Sequence, residues 1–524
     1  MANTQLFQST KGALAPRTDT RNHQQAPAYA MSPRHQLAQL AATGCLSQTF
    51  YASAEAQLDT VLELAMSIDA AFVAKTAIYA RQAGHMKDMP ALLAATLAVR
   101  DVALLAQVFG RIVDNGKMLR NFVQILRSGA VGRKSLGTRP KKLVQQWLLN
   151  ANETQLLNAS IGNAPSLADL VKMAHPKPAE AWRAAWFAWL IGKPFEMEAL
   201  PPITHAFERY KSEAATNAAT QTPAVPFQML TALQLTTEQW VQIALTGSWQ
   251  MVRQNLNTFA RHGVFEVAGV ADAIAARLRD PLAIAKGRVL PYQLMSAFLA
   301  TGDGVPLVIR DVLQDALDAA LVNVPVLKGR VVVCPDVSGS MSSALTGQRG
   351  SATSKVRCID VAALVAAAVL RTNRQARVLP FESDVVKVKL NPHDSVLTNA
   401  QALAAIGGGG TNCSAPLAML NRERAGVDLV IFVSDNESWM DAVHGRGTAT
   451  MRAWEALKQR NPRARLVCID LQPYGTTQAA ERHDIMNIGG FSDAVFTTIA
   501  RFAAGKTAAN HWVDEIEKIS LTVQ

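Results

Sequence analysis

Apolar residues recur at spacings of three and four through most of the first 322 positions. The runs at 54–66, 70–84, 89–100 and 101–113 are rich in Ala and Leu and are separated by Gly, Pro, Asn or Asp, which predicts successive amphipathic helices. Asp69 stands where an N-cap belongs, and Pro90 sits just inside the start of the next run. The helices fall in pairs of roughly 35–45 residues, the period of a HEAT-like solenoid, although no strict sequence repeat is visible. A single bundle is the alternative, and about 290 residues of successive helices favour the solenoid. Residues 1–32, rich in Gln, Thr, Asn, Ala and Pro, are expected to be extended. Residues 212–226 read as a polar, Pro-ended loop.

After Val322 the period changes. Arg330–Cys334, 376–381, 385–390, 427–433 and 464–470 read as strands, and 358–373, 395–405, 450–460 and 492–504 as helices. Such alternation predicts a doubly wound, mostly parallel α/β sheet. A last helix is expected at 511–520. The fold class is therefore multidomain: all-α HEAT-like repeats followed by an α/β domain. The expected boundaries are an extended segment at 1–32, the helical part at 33–325 and the α/β domain at 326–524.

Charge refines this picture. The chain of 524 residues is 49% apolar and 18% charged, with a net charge of +11. Residues 1–330 hold 32 Lys and Arg against 23 Asp and Glu, net +9, and the remainder holds 20 against 18, net +2. The excess in the helical part is an electrostatic footprint for a polyanion, most often nucleic acid. The five cysteines (Cys45, Cys334, Cys358, Cys413 and Cys468) are odd in number and widely spaced. They match neither a disulfide framework nor zinc-ligand spacing. The polar N-terminus has no secretory h-region, and no run reaches the roughly 18 apolar residues of a membrane span. A cytoplasmic, reducing compartment and no membrane partner are expected.

The strand Val331-Val-Val-Cys-Pro breaks into Asp336-Val-Ser-Gly-Ser340. One carboxylate and two hydroxyls thus fall at the carboxyl end of a buried strand, where open α/β sheets bind ligands. Gly407-Gly-Gly-Gly-Thr411 adds a hydroxyl after a run that lets backbone approach closely, and Val430-Ile-Phe-Val-Ser-Asp435 ends a second buried strand in a carboxylate. Asp336, Ser338, Ser340, Thr411 and Asp435 are hard oxygen donors suited to a divalent cation such as Mg²⁺. The set resembles the von Willebrand factor A fold with its metal-ion-dependent adhesion site (MIDAS). That resemblance implies direct or water-mediated coordination by these five residues, with one position open to an outside carboxylate. Glu437 and His444 lie nearby in sequence and read as ordinary loop residues. No pair with general-base spacing accompanies the site.

The helical part carries its own candidate chemistry. Residues 111–142 hold Arg111, Lys117, Arg120, Arg127, Arg133, Lys134, Arg139, Lys141 and Lys142 against Asp114 alone. Gly129 and Gly132 should break the helix there and fan the cations from a loop toward phosphates. Lys172-Met-Ala-His-Pro-Lys-Pro178 sets His175 at a helix end beside Lys172 and Lys177. The following Trp182, Trp186, Phe187 and Trp189 recur at helical spacing and are expected in the core. Arg253, Asn257 and Arg261, four apart, are expected to share a polar helix face opposite Leu256 and Phe259. Lys286 and Arg288 stand at a helix–loop junction.

Four of these segments, at 127–133, 173–178, 251–256 and 287–293, resemble the TROVE module of the Ro autoantigen family. Gly409-Gly-Thr-Asn-Cys413, Ser434-Asp-Asn-Glu-Ser-Trp439 and Met486-Asn-Ile-Gly-Gly-Phe491 resemble its A domain. The likeness covers nearly the whole chain and points to a bacterial-type member. It implies a ring of HEAT-like repeats completed by the A domain, with no catalytic activity. It implies Y RNA and the single-stranded 3′ ends of misfolded or defective small RNAs as ligands. It further implies a role as adaptor for a 3′ exonuclease such as polynucleotide phosphorylase, in RNA quality control. Arg127, Arg133 and His175 are the outer RNA-contact candidates, Arg253 and Asn257 the inner ones, and Arg120, Lys134, Arg139 and Arg261 are further RNA-binding candidates. Two departures stand out: residues 158–163 lack the cations that relatives can carry there, and Asn412 stands where many relatives have Asp.

A non-catalytic, monomeric RNA-binding protein is the leading expectation. The alternatives are a metal-dependent adhesion scaffold that captures an acidic ligand through the A domain, and a metal-dependent nuclease, which the absence of a clustered base disfavours.

Overall fold

A computed structural model describes residues 15–44, 46–215, 222–346, 348–349, 352–353, 355–440, 447–491, 495–505 and 511–522. The chain forms two compact units that interleave along the sequence. One comprises Leu62–Leu278, Thr301–Arg310 and Lys518–Gln524; the other comprises Met1–Val61, Arg279–Ala300 and Asp311–Glu517. These bounds differ from the expected split at 32/33 and 325/326. Periodicity identifies an element but not the surface it packs against.

The first unit is helical. Ala70–Gln82, Asp88–Arg100, Val102–Ile112, Gly116–Ser128, Thr138–Asn150, Glu153–Ala159 and Leu167–Ala174 follow one another. The expected helices at 70–84, 89–100 and 101–113 are present with ends shifted by one or two residues. Side chains start them: Asp69, Asp101, Asn115, Asn152 and Ser166 each accept a backbone N–H in the first turn. Alternate helices stack. Ala70–Gln82, Val102–Ile112, Thr138–Asn150 and Leu167–Ala174 form one row. Asp88–Arg100, Gly116–Ser128, Glu153–Ala159 and Pro202–Ala215 form the other. Two rows of alternating helices are the arrangement of a HEAT-like repeat.

A hidden period accompanies the stacking. Arg100 donates to the carbonyls of Ala65 and Ile68, 35 and 32 residues earlier. Arg183 donates to those of Leu148 and Ala151, again 35 and 32 residues earlier. Arg277 does the same to Ala244 and Leu245, at separations of 33 and 32. In each case a guanidinium satisfies carbonyls at or near the C-terminal end of an earlier helix, which have no partner within that helix.

The second unit is built on a five-stranded sheet: β1 (Val331–Pro335), β2 (Arg377–Val378), β3 (Leu429–Ser434), β4 (Arg465–Asp470) and β5 (Ile485–Gly489). The order is β5-β4-β3-β1-β2, all parallel. β1, β3 and β5 are buried throughout, so alternation is absent and apolar runs mark them. Cys358–Thr372 packs on β1, β2 and β3, and is buried from Cys358 to Leu370 except at Asp360. The four described cysteines are free and buried, and Cys45 lies outside the described residues.

Some sequence expectations need correction here. The strand expected at 376–381 is only Arg377–Val378, with Phe381 bridging Asp336 and Val385. Residues 386–390 form no strand. β5 was hidden by Asn487 and Gly489, and the helix Ala415–Arg422 by its short length. Residues 15–30 are not merely extended. Thr20–Arg21 pairs with Pro27–Ala30, which pairs antiparallel with Thr476–Thr477. The helix Pro33–Thr43 then packs against β5, where Gln39 donates to the Asn487 carbonyl at 3.1 Å.

Candidate functional site

The carboxyl ends of β1 and β3 meet in the sheet unit. The Asp336 N–H donates to the Val433 carbonyl at 2.9 Å, which sets the loops after β1 and β3 side by side. Gly408 N–H donates to Val337 O, and Gly339 N–H to Gly409 O, so the glycine loop closes on the first. Gly408 has φ 138° and Gly409 φ 71°, conformations that suit glycine and allow this approach. Trp439 and Met440 N–H both donate to Thr411 O at 3.1 Å, tying the third loop to the second. Asp336, Ser338, Ser340, Thr411 and Asp435 are thereby brought together, and all are buried.

Their hydrogen bonds leave oxygen in reserve. Asp336 accepts from Ser338 N–H at 2.8 Å and from Ser434 Oγ at 2.6 Å. Ser338 Oγ and Ser340 Oγ lie 3.3 Å apart. Asp435 accepts from Glu437 N–H through one oxygen, and its Oδ2 has no partner among the described residues. Burial raises both carboxyls above the usual carboxylate range, and the charge of Asp336 raises Asp435 further. Two buried carboxylates, one with an orphaned oxygen, beside three hydroxyls are the donor set of a hard divalent cation. The residues present fit such an ion. Among the described residues no group of three or more His, Cys, Asp or Glu forms a cage, so hydroxyls are needed to complete the set.

Residues far away in sequence complete the surroundings. Glu437, expected to be an ordinary loop residue, is buried and accepts from His23 N–H at 2.9 Å. Its other oxygen lies 3.1 Å from His23 Nδ1, and this bond, opposed by burial, raises the His23 imidazole. Asn22 Nδ2 donates to Ser438 O at 2.8 Å. Tyr51 stacks edge-on against Tyr474, and burial beside these carboxylates pushes its phenol up. No local motif announces His23 or Tyr51, because they reach the site through tertiary pairing. Asn412 is half-buried. It donates to Ser383 O and accepts from Ser414, a double role that an ionised Asp could not fill. His444 lies outside the described residues, as do 347, 350–351 and 354 of the loop after the metal motif.

In the helical unit, Gly116–Ser128 ends at Gly129, whose φ of 98° turns the chain out of the helix. Arg127 is exposed and its Nη1 lies 2.8 Å from Met173 Sδ. Gln145 Nε2 donates to the Ala174 carbonyl at 2.7 Å. The segments 127–142 and 172–177 therefore lie side by side. His175 is exposed, with φ 53°, at the end of Leu167–Ala174. Lys134, Arg139, Lys142, Lys172 and Lys177 are exposed and Arg133 half-exposed. None of these cations makes an ion pair among the described residues. This unit carries 24 Lys and Arg against 16 Asp and Glu, net +8, and the sheet unit 28 against 25, net +3.

Two candidates fall away from this surface. Arg120 is 8% exposed, with Gly162 (φ 114°) against its guanidinium, and burial lowers its pKa. Arg253 is also 8% exposed. The helix expected to present Arg253, Asn257 and Arg261 on one face breaks at Asn255 into Trp249–Gln254 and Leu256–Arg261. Asn257 and Arg261 are exposed. Asn257 accepts from Gly302 N–H, and Arg261 donates to Thr258 Oγ1. Trp186 and Phe187 are core, as expected, whereas Trp182 and Trp189 are half-buried.

Comparison with known proteins follows the same division. Residues 330–503 match the family described as the Ro60 vWA domain. The chain is 25% identical over 516 residues to the RNA-binding protein RO60 of Deinococcus radiodurans, covering 91% of this chain and 94% of that protein. It is 23% identical over 252 residues to the RNA-binding protein RO60 of Caenorhabditis elegans, covering 45% of this chain and 37% of that one. The crystal structure of the D. radiodurans Ro (RSR) protein has the same fold, with TM-score 0.66, 24% identity, and coverage of 91% of this chain and all of that one. Residues 330–503 thus match a Ro60-type von Willebrand factor A domain, and the chain is similar to the Ro proteins along nearly its whole length.

Proposed function

We propose that this chain is a Ro-type RNA-binding protein that works by binding rather than by catalysis. One observation carries the reading. The helical unit displays Arg127, Lys134, Arg139, Lys142, Lys172, His175 and Lys177 exposed on adjoining segments, with no ion pair to a carboxylate among the described residues, Asp169 alone acting on Lys172 at longer range. Lysine and arginine left unpaired on one surface attract a polyanion, and phosphates supply affinity without base preference. The relatives named as RNA-binding proteins support this choice of polyanion.

Within this reading the ligands are Y RNA and small non-coding RNAs with single-stranded 3′ ends. The protein presents such RNAs to a 3′ exonuclease in the cytoplasm. Among the described residues no helix is long and apolar enough to cross a membrane. In the A domain, Asp336, Ser338, Ser340, Thr411 and Asp435 would hold Mg²⁺, which supplies a Lewis-acidic position for an outside oxygen. These donors are buried in the folded chain, so the basic surface, not the metal loop, is the primary site.

Filter binding of a structured RNA with and without a 3′ tail, across a salt series, tests the reading. The tailed RNA should bind more tightly, and log K should fall steeply with log salt. Equal binding of both RNAs with no salt slope would sink it.

A further inference from the structure

In the helical unit a cavity of about 260 Å³ opens between Val102–Ile112 and Thr138–Asn150. Phe109 and Gly110 line it from the first helix, and Leu143, Gln146, Trp147 and Asn150 from the second. The last four are spaced three and four apart, so they occupy one stripe of the helix. Arg139 and Lys142 lie one turn earlier on that stripe, both exposed and without an ion pair among the described residues.

The lining is unfinished. Trp147 is half-buried and has no aromatic ring or cation stacked on it among the described residues. The side-chain amides of Gln146 and Asn150 make no hydrogen bond there. A Cβ built on Gly110 would meet nothing within 4 Å, so the helix that faces Trp147 leaves open space. Gly110, Gln146 and Asn150 are exposed, so the space is a groove open to solvent, accessible to a ligand from outside. Here it presents an indole, two free amides and two cations one turn away.

We propose that this cavity is a niche for one unpaired nucleobase of a bound RNA. The inference rests on the RNA-binding reading and extends it to a defined pocket. Trp147 offers a stacking face, which any base can use. Gln146 and Asn150 each carry a donor and an acceptor for a base edge. Arg139 and Lys142 meet the adjoining phosphates. The volume lies just below the roughly 300 Å³ at which sites for drug-sized ligands begin, a size suited to one planar heterocycle.

The test is fluorescence anisotropy of the full chain with a short labelled oligoadenylate and with its abasic counterpart. Trp147→Ala should weaken the oligoadenylate roughly 5- to 150-fold, the loss of one base stack, and leave abasic binding unchanged. Trp147→Phe should keep most of the affinity. Gly110→Leu should block the niche and weaken only the oligoadenylate. Its melting temperature should be equal or higher, because leucine suits a helix better than glycine and its Cβ meets nothing within 4 Å. Wild-type affinity in both Trp147→Ala and Gly110→Leu, with loss in Arg127→Ala, would overturn the niche and leave RNA binding standing. Equal weakening of both oligonucleotides by Trp147→Ala would assign it a structural role and overturn the niche. Failure of the wild type to bind either oligonucleotide would remove the RNA reading and the niche together.

Discussion

The two compact units handle charge in opposite ways. The helical unit leaves cations on its surface without an ion pair among the described residues, around Arg127, Lys134 and Lys172. The sheet unit buries carboxylates at the ends of its strands, at Asp336 and Asp435. A solvated, unpaired cation costs little and attracts polyanions from a distance. A buried, unpaired carboxylate is costly and persists only where it is protonated or a cation answers it. The first arrangement suits a large ligand that is recognised loosely, the second a small ion that is held closely.

Asp484 tests that contrast most severely, because it is a buried carboxylate that already has its cations. Arg482 Nε and Nη2 lie 2.5 and 2.8 Å from it, Lys458 Nζ 3.4 Å, and Trp454 Nε1 donates at 3.1 Å. Burial would raise its pKa, but the Arg482 bonds outweigh it and hold the carboxyl down to about 2. Asp484→Ala should cost about 3–5 kcal/mol, read by denaturant unfolding. The wild-type contribution should be complete above the ordinary value of 3.8 and be lost as pH falls from there toward 2. A variant as stable as wild type would mean that these cations do not matter to the fold.

Next in size is the combined substitution Arg127→Ala, Arg133→Ala and Lys134→Ala. It should weaken RNA binding roughly 100-fold or more at moderate salt, since charged hydrogen bonds are lost. It should also flatten the salt slope by about 2, at about 0.7 per phosphate contact. Stability should hold, because these side chains are exposed or half-exposed. Arg120→Ala should do the reverse, lowering stability with little change in slope, because Arg120 is buried. If the two exchange behaviours, the basic surface is misplaced.

The smallest expected effect concerns Asp435→Asn. Calorimetric titration with Mg²⁺ or Mn²⁺ should show affinity reduced at least about tenfold, with RNA affinity unchanged. The metal-free variant should melt no lower than wild type above neutral pH, since it removes a buried charge whose pKa burial has raised. Unchanged metal affinity would exclude Asp435 from the site.

The clustering of the five oxygen donors was legible because all of them follow buried apolar runs or a glycine loop, and strands of a parallel sheet deliver their ends to one side. Its surroundings were not legible. His23 and Tyr51 lie more than 280 residues before Ser340, and nothing local marks them as its neighbours. The basic loop was legible from sign bias and from Gly129. Spacing failed for Arg253, because four-residue periodicity presumes an unbroken helix and Asn255 breaks this one. The 32–35-residue arginine period also escaped, because it is carried by guanidinium-to-carbonyl bonds rather than by repeated residues.

By itself the sequence determined the two kinds of architecture, most of their elements, the donors at the strand ends and the sign of the helical unit. These are local properties, set by period, caps and charge count. Only the tertiary structure decided which cations stay in water, which distant segment joins the A domain, and that helices 26 residues apart leave a space beside Trp147. Those outcomes depend on which faces meet, and a face acquires its burial from a partner that the local sequence does not contain.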